Sequence, residues 1–402
     1  MPLAVGIDVA KELHWAAIVR TDNGELVTSR SVSNTPEAIQ ALISEIQAAA
    51  TEHGQATVAL DVLGGIAGLA EAMLLDAGIR LVHVPGLAVN RARRATVGGE
   101  RKSDPKDARV IADQVRIRDD LRPVTEPSAV DAELRLLVGR RRELVTDQTR
   151  RLGRLRDLLT SVHPGLEAGL DVTTKTAMWL LARYVTPAEI RAAGRTRLTR
   201  YLGRIRSVKT DRVAVIVDHA LTAAKAQQVA VPGEAVAADI IRDLASEALA
   251  SKDRVKSIDK RIAETLKRHP DAALVASLPG MGATLTAEFL AEAGGIARFP
   301  TADQLASAAG LAPVLKQSGK VRYLQRATAG NKTLKRVFYQ SAFIAAGCEP
   351  TSKTYYRRKR GEGKTHHQAV LALARRRVNV LHAILRTRTP YRVQPEKTAT
   401  AA

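Results

Sequence analysis

The chain has 402 residues, of which 45% are hydrophobic and 26% charged, which is typical of a folded protein with two or three domains. Its apolar content argues against a disordered chain, and its formal net charge of +21 predicts a polyanionic partner, either nucleic acid or an anionic membrane. No run of eighteen uncharged apolar residues occurs, so we expect no membrane span or membrane partner, and we expect no signal peptide. The single Cys348 excludes an intramolecular disulfide and a Cys/His zinc cluster. These features favour a DNA- or RNA-binding protein that is cytoplasmic and nucleoid-associated.

The first 125 residues predict an α/β domain. The predicted strands are 3–9, 14–20, 25–32, 56–60 and 79–84, and the predicted helices begin near Asn34, Ile66 and Asp104. The order β-β-β-α-β-α-β-α is that of the ribonuclease H-like (RuvC-like) fold. In that fold the first and fourth strands lie side by side at the centre of the sheet.

Four aspartates stand where this fold would bring them together. Asp8 interrupts the first strand, Asp61 ends the fourth, and Asp104 and Asp107 occupy an Asp-Pro-x-Asp helix start, with Asp104 as the N-cap. Carboxylates so close repel one another unless cations lie between them. The pattern therefore predicts a site for two Mg²⁺ ions, or Mn²⁺ as an alternative, that holds a phosphodiester. The alternative is that each acid only caps a helix or ends a strand.

Two long helical stretches, 129–159 and 235–266, follow this domain, with leucine and isoleucine at helical spacing among many charges. They predict a coiled-coil arm that dimerises, or else an ordinary helical bundle. The segment 163–231 between them is helical and basic, with arginines clustered from Arg195 to Arg206. That cluster is either a solvated face or a track for phosphates.

The C-terminal part contains the pattern Leu-Pro-Gly-Met-Gly at 278–282, which predicts the turn of a helix-hairpin-helix element. A glycine-rich connection without a ligand is the alternative. Residues 301–402 hold twenty Lys and Arg against four Asp and Glu. We expect the main nucleic-acid face here, with phosphate contacts more important than base stacking, because aromatic residues make up only 3% of the chain.

Ser318 lies in Lys-Gln-Ser-Gly-Lys-Val-Arg at 316–322. The glycine would let the backbone close on a phosphate, and Lys316, Lys320 and Arg322 would offset charge that develops at phosphorus. On these grounds the serine is either a phosphoryl-transfer nucleophile or, without a neighbouring base, a turn residue.

Taken together, these motifs resemble the DEDD-type transposases of bacterial insertion sequences, relatives of the Piv DNA invertase. The matching segments are 6–11, 60–65, 102–108, 278–282, 309–313, 317–320 and 330–332. The resemblance implies that Asp8, Asp61, Asp104 and Asp107 are metal ligands and catalytic residues, and that Ser318 forms a covalent phosphoserine link to DNA. One departure is Asp61, because most of the family has glutamate there; its contact with metal could run through water.

The resemblance also implies the partners: donor and target DNA, a bridge RNA encoded by the element, and a homodimer that assembles into a tetramer with composite sites. The expected architecture is α/β plus α. It comprises a RuvC-like catalytic domain (1–125), a helical coiled-coil arm with a basic insert (126–270), a mainly helical transposase domain with the serine (271–392) and a disordered tail (393–402). The residues expected to contact nucleic acid are Lys11, Gly280, Gly282, Lys316, Lys320, Arg322, Asn331, Lys332 and Arg336.

The expected function is Mg²⁺-dependent strand cleavage and exchange by a DNA transposase. Two other functions stay open. One is a RuvC-like nuclease that uses metal-activated water, with Ser318 as a turn residue. The other is a non-catalytic nucleic-acid-binding protein.

Overall fold

The computed structural model describes residues 2–95, 100–121, 123–126, 128–205, 210–325 and 327–392. The chain divides into two units, Met1–Pro127 and Ser128–Ala402. The predicted disordered tail at 393–402 and Arg206 lie outside the described residues.

A five-stranded mixed sheet forms the centre of the first unit. Its strands are β1 (Leu3–Asp8), β2 (Leu13–Arg20), β3 (Leu26–Ser33), β4 (Ala56–Leu60) and β5 (Arg80–His83). Their spatial order is β3-β2-β1-β4-β5, with β1 antiparallel to β2 and parallel to β4. The prediction that the first and fourth strands are neighbours is confirmed. Both strands are almost wholly apolar because both are buried within the sheet.

Helices cover this sheet. They are α1 (Pro36–His53), α2 (Gly68–Asp76) after a 3₁₀ turn at Gly65–Ala67, α3 (Gly86–Arg94) and α4 (Asp104–Ile117). The sequence did not predict α3. Of its side chains only Val89 and Arg93 are buried, and Leu87 is 63% exposed, so its apolar periodicity is weak.

The start of α4 differs by one residue from the prediction. Ser103 is the N-cap and Asp104 is already helical, so the expectation of Asp104 as the N-cap was wrong. Ser103 makes no side-chain capping bond. Both aspartates of the motif therefore stand in the first turn, where the positive end of the helix dipole favours them.

Two long antiparallel helices, here called the arm, begin the second unit: α5 (Ala129–Val162) and α10 (Glu234–Arg268). They pair with each other in the same chain. Arg141 Nε lies 2.5 Å from Asp259 Oδ1, and Arg151 Nε lies 2.9 Å from Glu247 Oε2. Whether the arm also dimerises stays a prediction.

Between the arm helices, residues 163–231, here called the insert, fold into a small helical bundle. Its helices are α6 (Pro164–Ala168), α7 (Lys175–Leu181), α8 (Pro187–Gly203) and α9 (Thr210–Ala226). They share a hydrophobic core with the adjoining ends of the arm, including Leu155, Leu159 and Ile241.

The remaining elements form a second core around the other end of the arm. They are α11 (Ala272–Ser277), α12 (Ala283–Ala293), α13 (Ala302–Ala308), the hairpin β6 (Val314–Ser318) and β7 (Val321–Gln325), α14 (Lys332–Cys348), α15 (Pro350–Gly361) and α16 (His366–Thr387), with a 3₁₀ turn at Ile296–Arg298. Leu134 and Ile262 of the arm are part of this core. Among the described residues, no helix combines the length and apolarity needed to cross a bilayer.

Candidate active site

Two of the predicted acids lie at the same edge of the sheet. Asp8 is the last residue of β1, and Asp61 directly follows β4. Because these strands are parallel neighbours, their carboxyl ends meet at one edge. The backbone N–H of Val9 donates to Asp61 Oδ1 at 3.3 Å, which fixes the second carboxylate beside the end of β1.

A glycine brings α4 against this edge. A Cβ on Gly6 would lie 2.1 Å from the carbonyl oxygen of Ala108 and 2.4 Å from the backbone nitrogen of Ala112. No larger residue fits there unless the helix moves away from β1. The contact positions the first turn of α4, with exposed Asp104 and buried Asp107, near Asp8. This role of Gly6 was not predicted, although an isolated glycine inside an apolar strand is a signal of close backbone approach.

The electrostatics of Asp8 show that the four acids form one group. Burial, followed by repulsion from Asp61, Asp107 and Asp104, raises the pKa of Asp8 from 3.8 to about 7. Burial also raises the pKa of Asp61, although the hydrogen bond from Val9 opposes that rise. The sheet edge is therefore a place where negative charge is costly without a cation.

A cationic side chain that the sequence analysis did not single out already contacts one of these acids. Arg93 of α3 donates from Nη1 to both carboxylate oxygens of Asp107, at 2.7 Å each. Arg93 is 9% exposed and Asp107 3%, so this is a buried ion pair. This ion pair could not be predicted from the sequence, because Arg93 is one of several arginines in a short helix.

Hard carboxylate oxygens that repel one another are a donor set that suits a divalent cation. Within the part of the chain that the structure describes, however, no three acidic, histidine or cysteine side chains are arranged to hold a metal ion. Asp107 faces Arg93 instead. The acids suit a divalent ion by their chemistry, and a rearrangement of their side chains would be needed for them to enclose one.

Ser318 lies at the tip of the β6–β7 hairpin. It pairs with Val321 across a turn in which Gly319 has a φ of +54°. Every residue of both strands is exposed. The serine hydroxyl is therefore accessible to a large substrate.

Of the three cations around Ser318, one shares its face of the hairpin. Side chains alternate along a strand, so Lys316 lies on the Ser318 face. Arg322 pairs with Gln317 and lies on the opposite face, while Lys320 belongs to the turn. Lys316 is the strand residue best placed to act with Ser318.

The two glycines predicted to approach a phosphate have different surroundings. Gly280 has a φ of +81°, and a Cβ there would lie 2.6 Å from the carbonyl oxygen of Ser341 in α14. The fold thus needs Gly280 for internal packing. Gly282 is the N-cap of α12, and its Cα faces open space. Packing therefore does not require a glycine at position 282.

Side chains around the start of α14 are partly engaged within the protein. Asn331 caps the helix by accepting from the N–H groups of Thr333 and Leu334. Its Nδ2 donates to Glu292 Oε2 at 2.7 Å. Lys332 is exposed in this turn, and Lys11 is exposed after β1. Arg336, in the same helix, forms an ion pair with Glu288.

Arg336 is exposed on one side but pairs with a buried acid on the other. Its Nη2 lies 2.7 Å from Oε2 of Glu288, which is 4% exposed. The guanidinium therefore neutralises a buried carboxylate, a role that the sequence did not indicate.

Two protein-family models match this chain. One, described as a transposase, matches residues 5–164 and so includes all four aspartates. The other, described as the transposase IS116/IS110/IS902 family, matches residues 272–357 and includes Ser318.

Similar proteins span almost the whole chain. An uncharacterised protein of insertion element IS116 from Streptomyces clavuligerus is 42% identical over 99% of this chain and 98% of its own length. An uncharacterised protein of insertion element IS900 from Mycobacterium paratuberculosis is 40% identical over 100% of this chain and 99% of its own. The pilin gene-inverting protein of Moraxella bovis is 30% identical over 35% of this chain and 45% of its own.

A solved structure of T. thermophilus RuvC in complex with a Holliday junction substrate is 16% identical over 31% of this chain and 100% of its own, with a TM-score of 0.24. A score this low carries no argument about fold or function, so the assignment depends on the sequence relatives. The full-length similarity to insertion-element proteins, with both family models in their expected order, establishes that this chain belongs to the IS116/IS110/IS902 family of transposases.

Proposed function

We propose that this transposase cuts and rejoins DNA through a covalent bond between Ser318 and a DNA phosphate, with Asp8, Asp61, Asp104 and Asp107 holding divalent metal at the scissile phosphodiester. The observation that carries the metal part is the clustering of acids around Asp8, whose pKa their repulsion and its own burial raise to about 7. Such a cluster is costly for the protein alone and becomes favourable once a cation binds.

A divalent cation, Mg²⁺ or Mn²⁺, would polarise the phosphoryl oxygens and stabilise charge on the attacking and leaving oxygens. Asp8 and Asp61 would hold it from the sheet edge, and Asp104 and Asp107 from the first turn of α4. For that to happen Asp107 must turn from Arg93, to which it is now paired. Gly6 keeps α4 close enough for both pairs of acids to act together.

The covalent step involves the serine hydroxyl. Ser318 Oγ forms a bond to phosphorus, the bond from phosphorus to one deoxyribose oxygen breaks, and the hydroxyl proton passes to solvent. The departing deoxyribose oxygen takes up a proton. Lys316, on the same face of the hairpin, can offset the charge on the phosphoryl oxygens. Attack by a deoxyribose hydroxyl of another strand reverses these steps, releases Ser318 and completes strand exchange without net hydrolysis.

The guide and the assembly are part of the same proposal. A bridge RNA would choose donor and target DNA, and dimers would pair into a tetramer whose composite sites combine acids and serines of different protomers. The excess of 62 Lys and Arg over 41 Asp and Glu supports a large polyanionic partner. Sequencing of RNA that co-purifies with the full chain, expressed together with its element, tests this; random cellular RNA would contradict it.

The chemical proposal is tested with the full chain, co-expressed with its element, on DNA that carries the element ends. We expect a covalent DNA–protein adduct in Mg²⁺ on a denaturing gel, with the DNA-linked peptide containing Ser318 by mass spectrometry. Asp8→Asn and Ser318→Ala should both abolish the adduct and cleavage. Ser307→Ala, which changes an exposed serine of α13, is the matched control and should retain both.

The rival functions give different results. If Ser318→Ala still cuts DNA in Mg²⁺, the protein is a nuclease that uses metal-activated water. If no cleavage depends on Asp8, the acids have no catalytic role and the protein only binds nucleic acid. Either result would overturn the proposal.

A further inference from the structure

Almost all of the insert, residues 165–231, lies outside both family models, which match residues 5–164 and 272–357. It nevertheless has a well-formed hydrophobic core, shared with the ends of α5 and α10. It is also basic, with eleven Lys and Arg against five Asp and Glu in residues 163–231. A folded, basic bundle outside the segments that carry the acids and the serine is a candidate for a separate binding surface.

Some arginines in this region stabilise the fold. Arg191 Nη1 donates to the carbonyl oxygen of Gln227 at 2.6 Å, which ties α8 to the end of α9. Arg195 pairs with Asp218 of α9. Arg242 of the arm pairs with Glu189, the acid of the α8 capping box. These guanidiniums have intramolecular partners and are not available to a ligand.

Three other arginines have no such partner. Arg197, Arg200 and Arg204 are exposed, and among the described residues none of their side chains makes an ion pair or hydrogen bond within the protein. No acidic residue occurs from 195 to 205. Lacking a carboxylate partner, these guanidiniums are free to bind an external anion.

The three arginines share one face of a short straight segment. Gly194, with φ 61° and ψ 175°, breaks α8, and the residues after it form a second helical segment. Leu198 and Leu202 anchor the inner side of that segment in the core. At 100° per residue the three arginines fall within about 60° of one another, on the side opposite those leucines. We call this surface the arginine face.

A fourth cation borders the arginine face. The guanidinium of Arg183 lies 5.1 Å from the ring centre of Tyr201 and 5.5 Å from that of Tyr184. The two tyrosine rings meet edge to face at 5.7 Å. The Tyr201 hydroxyl donates to the carbonyl oxygen of Trp179 at 3.1 Å, so an aromatic cluster with one cation adjoins this surface.

We propose that the arginine face binds the sugar–phosphate backbone of duplex DNA through residues that are neither the acids nor the serine. Arg197 and Arg204 are about 10 Å apart along the helix axis, which is about three base-pair steps of a DNA strand. Exposed guanidiniums spaced along one helix face match a phosphate backbone, which is the part of duplex DNA that positions a protein without being read for sequence. The contact would be independent of sequence and would help the enzyme to hold its DNA during strand exchange.

This inference goes beyond the proposed chemistry, because it requires only that the transposase binds DNA. The test therefore uses the full chain in EDTA, where no cleavage takes place, so the result does not depend on Ser318 or on metal. The triple variant Arg197→Gln, Arg200→Gln, Arg204→Gln is compared with the unchanged protein. Binding to a labelled duplex of arbitrary sequence is measured by fluorescence anisotropy at several salt concentrations.

We expect DNA binding by the triple variant to depend less on salt concentration than DNA binding by the unchanged protein. Each phosphate contact contributes about 0.9 to the slope of log K against log salt, so loss of three contacts should reduce that slope by about 2.7. Between 50 and 200 mM salt the unchanged protein should then lose roughly 40-fold more affinity than the triple variant. The triple replacement by lysine should retain most of the slope, and all three positions are exposed, so melting curves should match.

The matched control removes three exposed cations of the arm that already have acidic partners: Arg140→Gln, Arg150→Gln and Lys260→Gln. It should change the slope by less than one. An equal effect of the control would show a general effect of net charge and would overturn the proposal. So would an unchanged slope in the arginine-face variant, or a loss of binding to single-stranded RNA without a loss for duplex DNA.

Discussion

Replacement of Asp8 by asparagine separates catalysis from stability, because the same carboxylate that would bind metal destabilises the metal-free fold. Burial and three neighbouring acids raise its pKa from 3.8 to about 7. One pKa unit corresponds to about 1.4 kcal/mol, which sets a ceiling of about 4 kcal/mol on the cost of ionised Asp8. Because the side chain retains partial contact with water, we expect Asp8→Asn to stabilise the first unit by about 1–2 kcal/mol at pH 8.

The sign of the pH dependence follows from proton binding. A raised pKa means that the folded protein holds the Asp8 proton more tightly than the unfolded chain does. Ionisation therefore lowers stability as pH rises from about 4 through 7, and the full cost is present above pH 7. The gain from Asp8→Asn should be largest at pH 8 and should disappear near pH 4.

Thermal melting in EDTA, followed at pH 8, 6 and 4, measures this gain. We expect a rise of roughly 4–6 °C in the transition of the first unit at pH 8. Added Mg²⁺ should stabilise the unchanged protein and reduce the difference from the variant. Asp76→Asn, at an exposed acid of α2, is the control and should show no such pH dependence. Equal melting at pH 8, or a gain that is the same at every pH, would refute the reasoning.

Three further substitutions test how the site and the C-terminal part are held together. Gly6→Ala should cost about 2–3 kcal/mol in urea unfolding and should weaken Mg²⁺-dependent stabilisation, because its methyl group displaces α4 from β1. Arg93→Gln should lower the free energy of unfolding by about 3 kcal/mol, because it leaves buried Asp107 without this cation. Asp107→Asn in the same chain should restore part of that loss, and additive effects in this double-mutant cycle would contradict the pairing. Arg336→Gln should lower the free energy of unfolding by about 2–3 kcal/mol near neutral pH, and adding Glu288→Gln should recover part of that loss. If Arg336→Gln melts like the unchanged protein, the ion pair does not stabilise the fold.

The sheet of the first unit could be predicted because its strands have strong local signals. Apolar runs of the right length, bounded by the turn after Asp22 and by Pro85, define β1 to β5, and fold topology then makes β1 and β4 neighbours. The same applies to the arm, whose leucines and isoleucines repeat at helical spacing over more than thirty residues in α5 and in α10. Helix α3 was missed because an arginine takes one of its few buried positions.

The pairing of charges could not be predicted, because it depends on which elements meet in space. Arg93 and Asp107 belong to different helices. Gly280 shows the same limit. The turn motif predicted a phosphate contact, whereas the positive φ of Gly280 and the nearby carbonyl oxygen of Ser341 show that packing within the protein requires a glycine here. Local patterns identify candidate ligands, and only tertiary contacts show which of them are already engaged.

That distinction changes where DNA contacts are expected in this transposase. Sequence alone gives every arginine the same weight, so the C-terminal residues, with the highest density of cations, were the first choice. There, however, Arg336 balances buried Glu288 and Arg377 is itself buried, donating to the hydroxyl of Ser341. In the insert, three arginines share one face and make no ion pair with any residue that the structure describes. Because a cation that must first leave a carboxylate gains little from a phosphate, the unpaired arginines should contribute more to the salt dependence of binding than their share of the total charge.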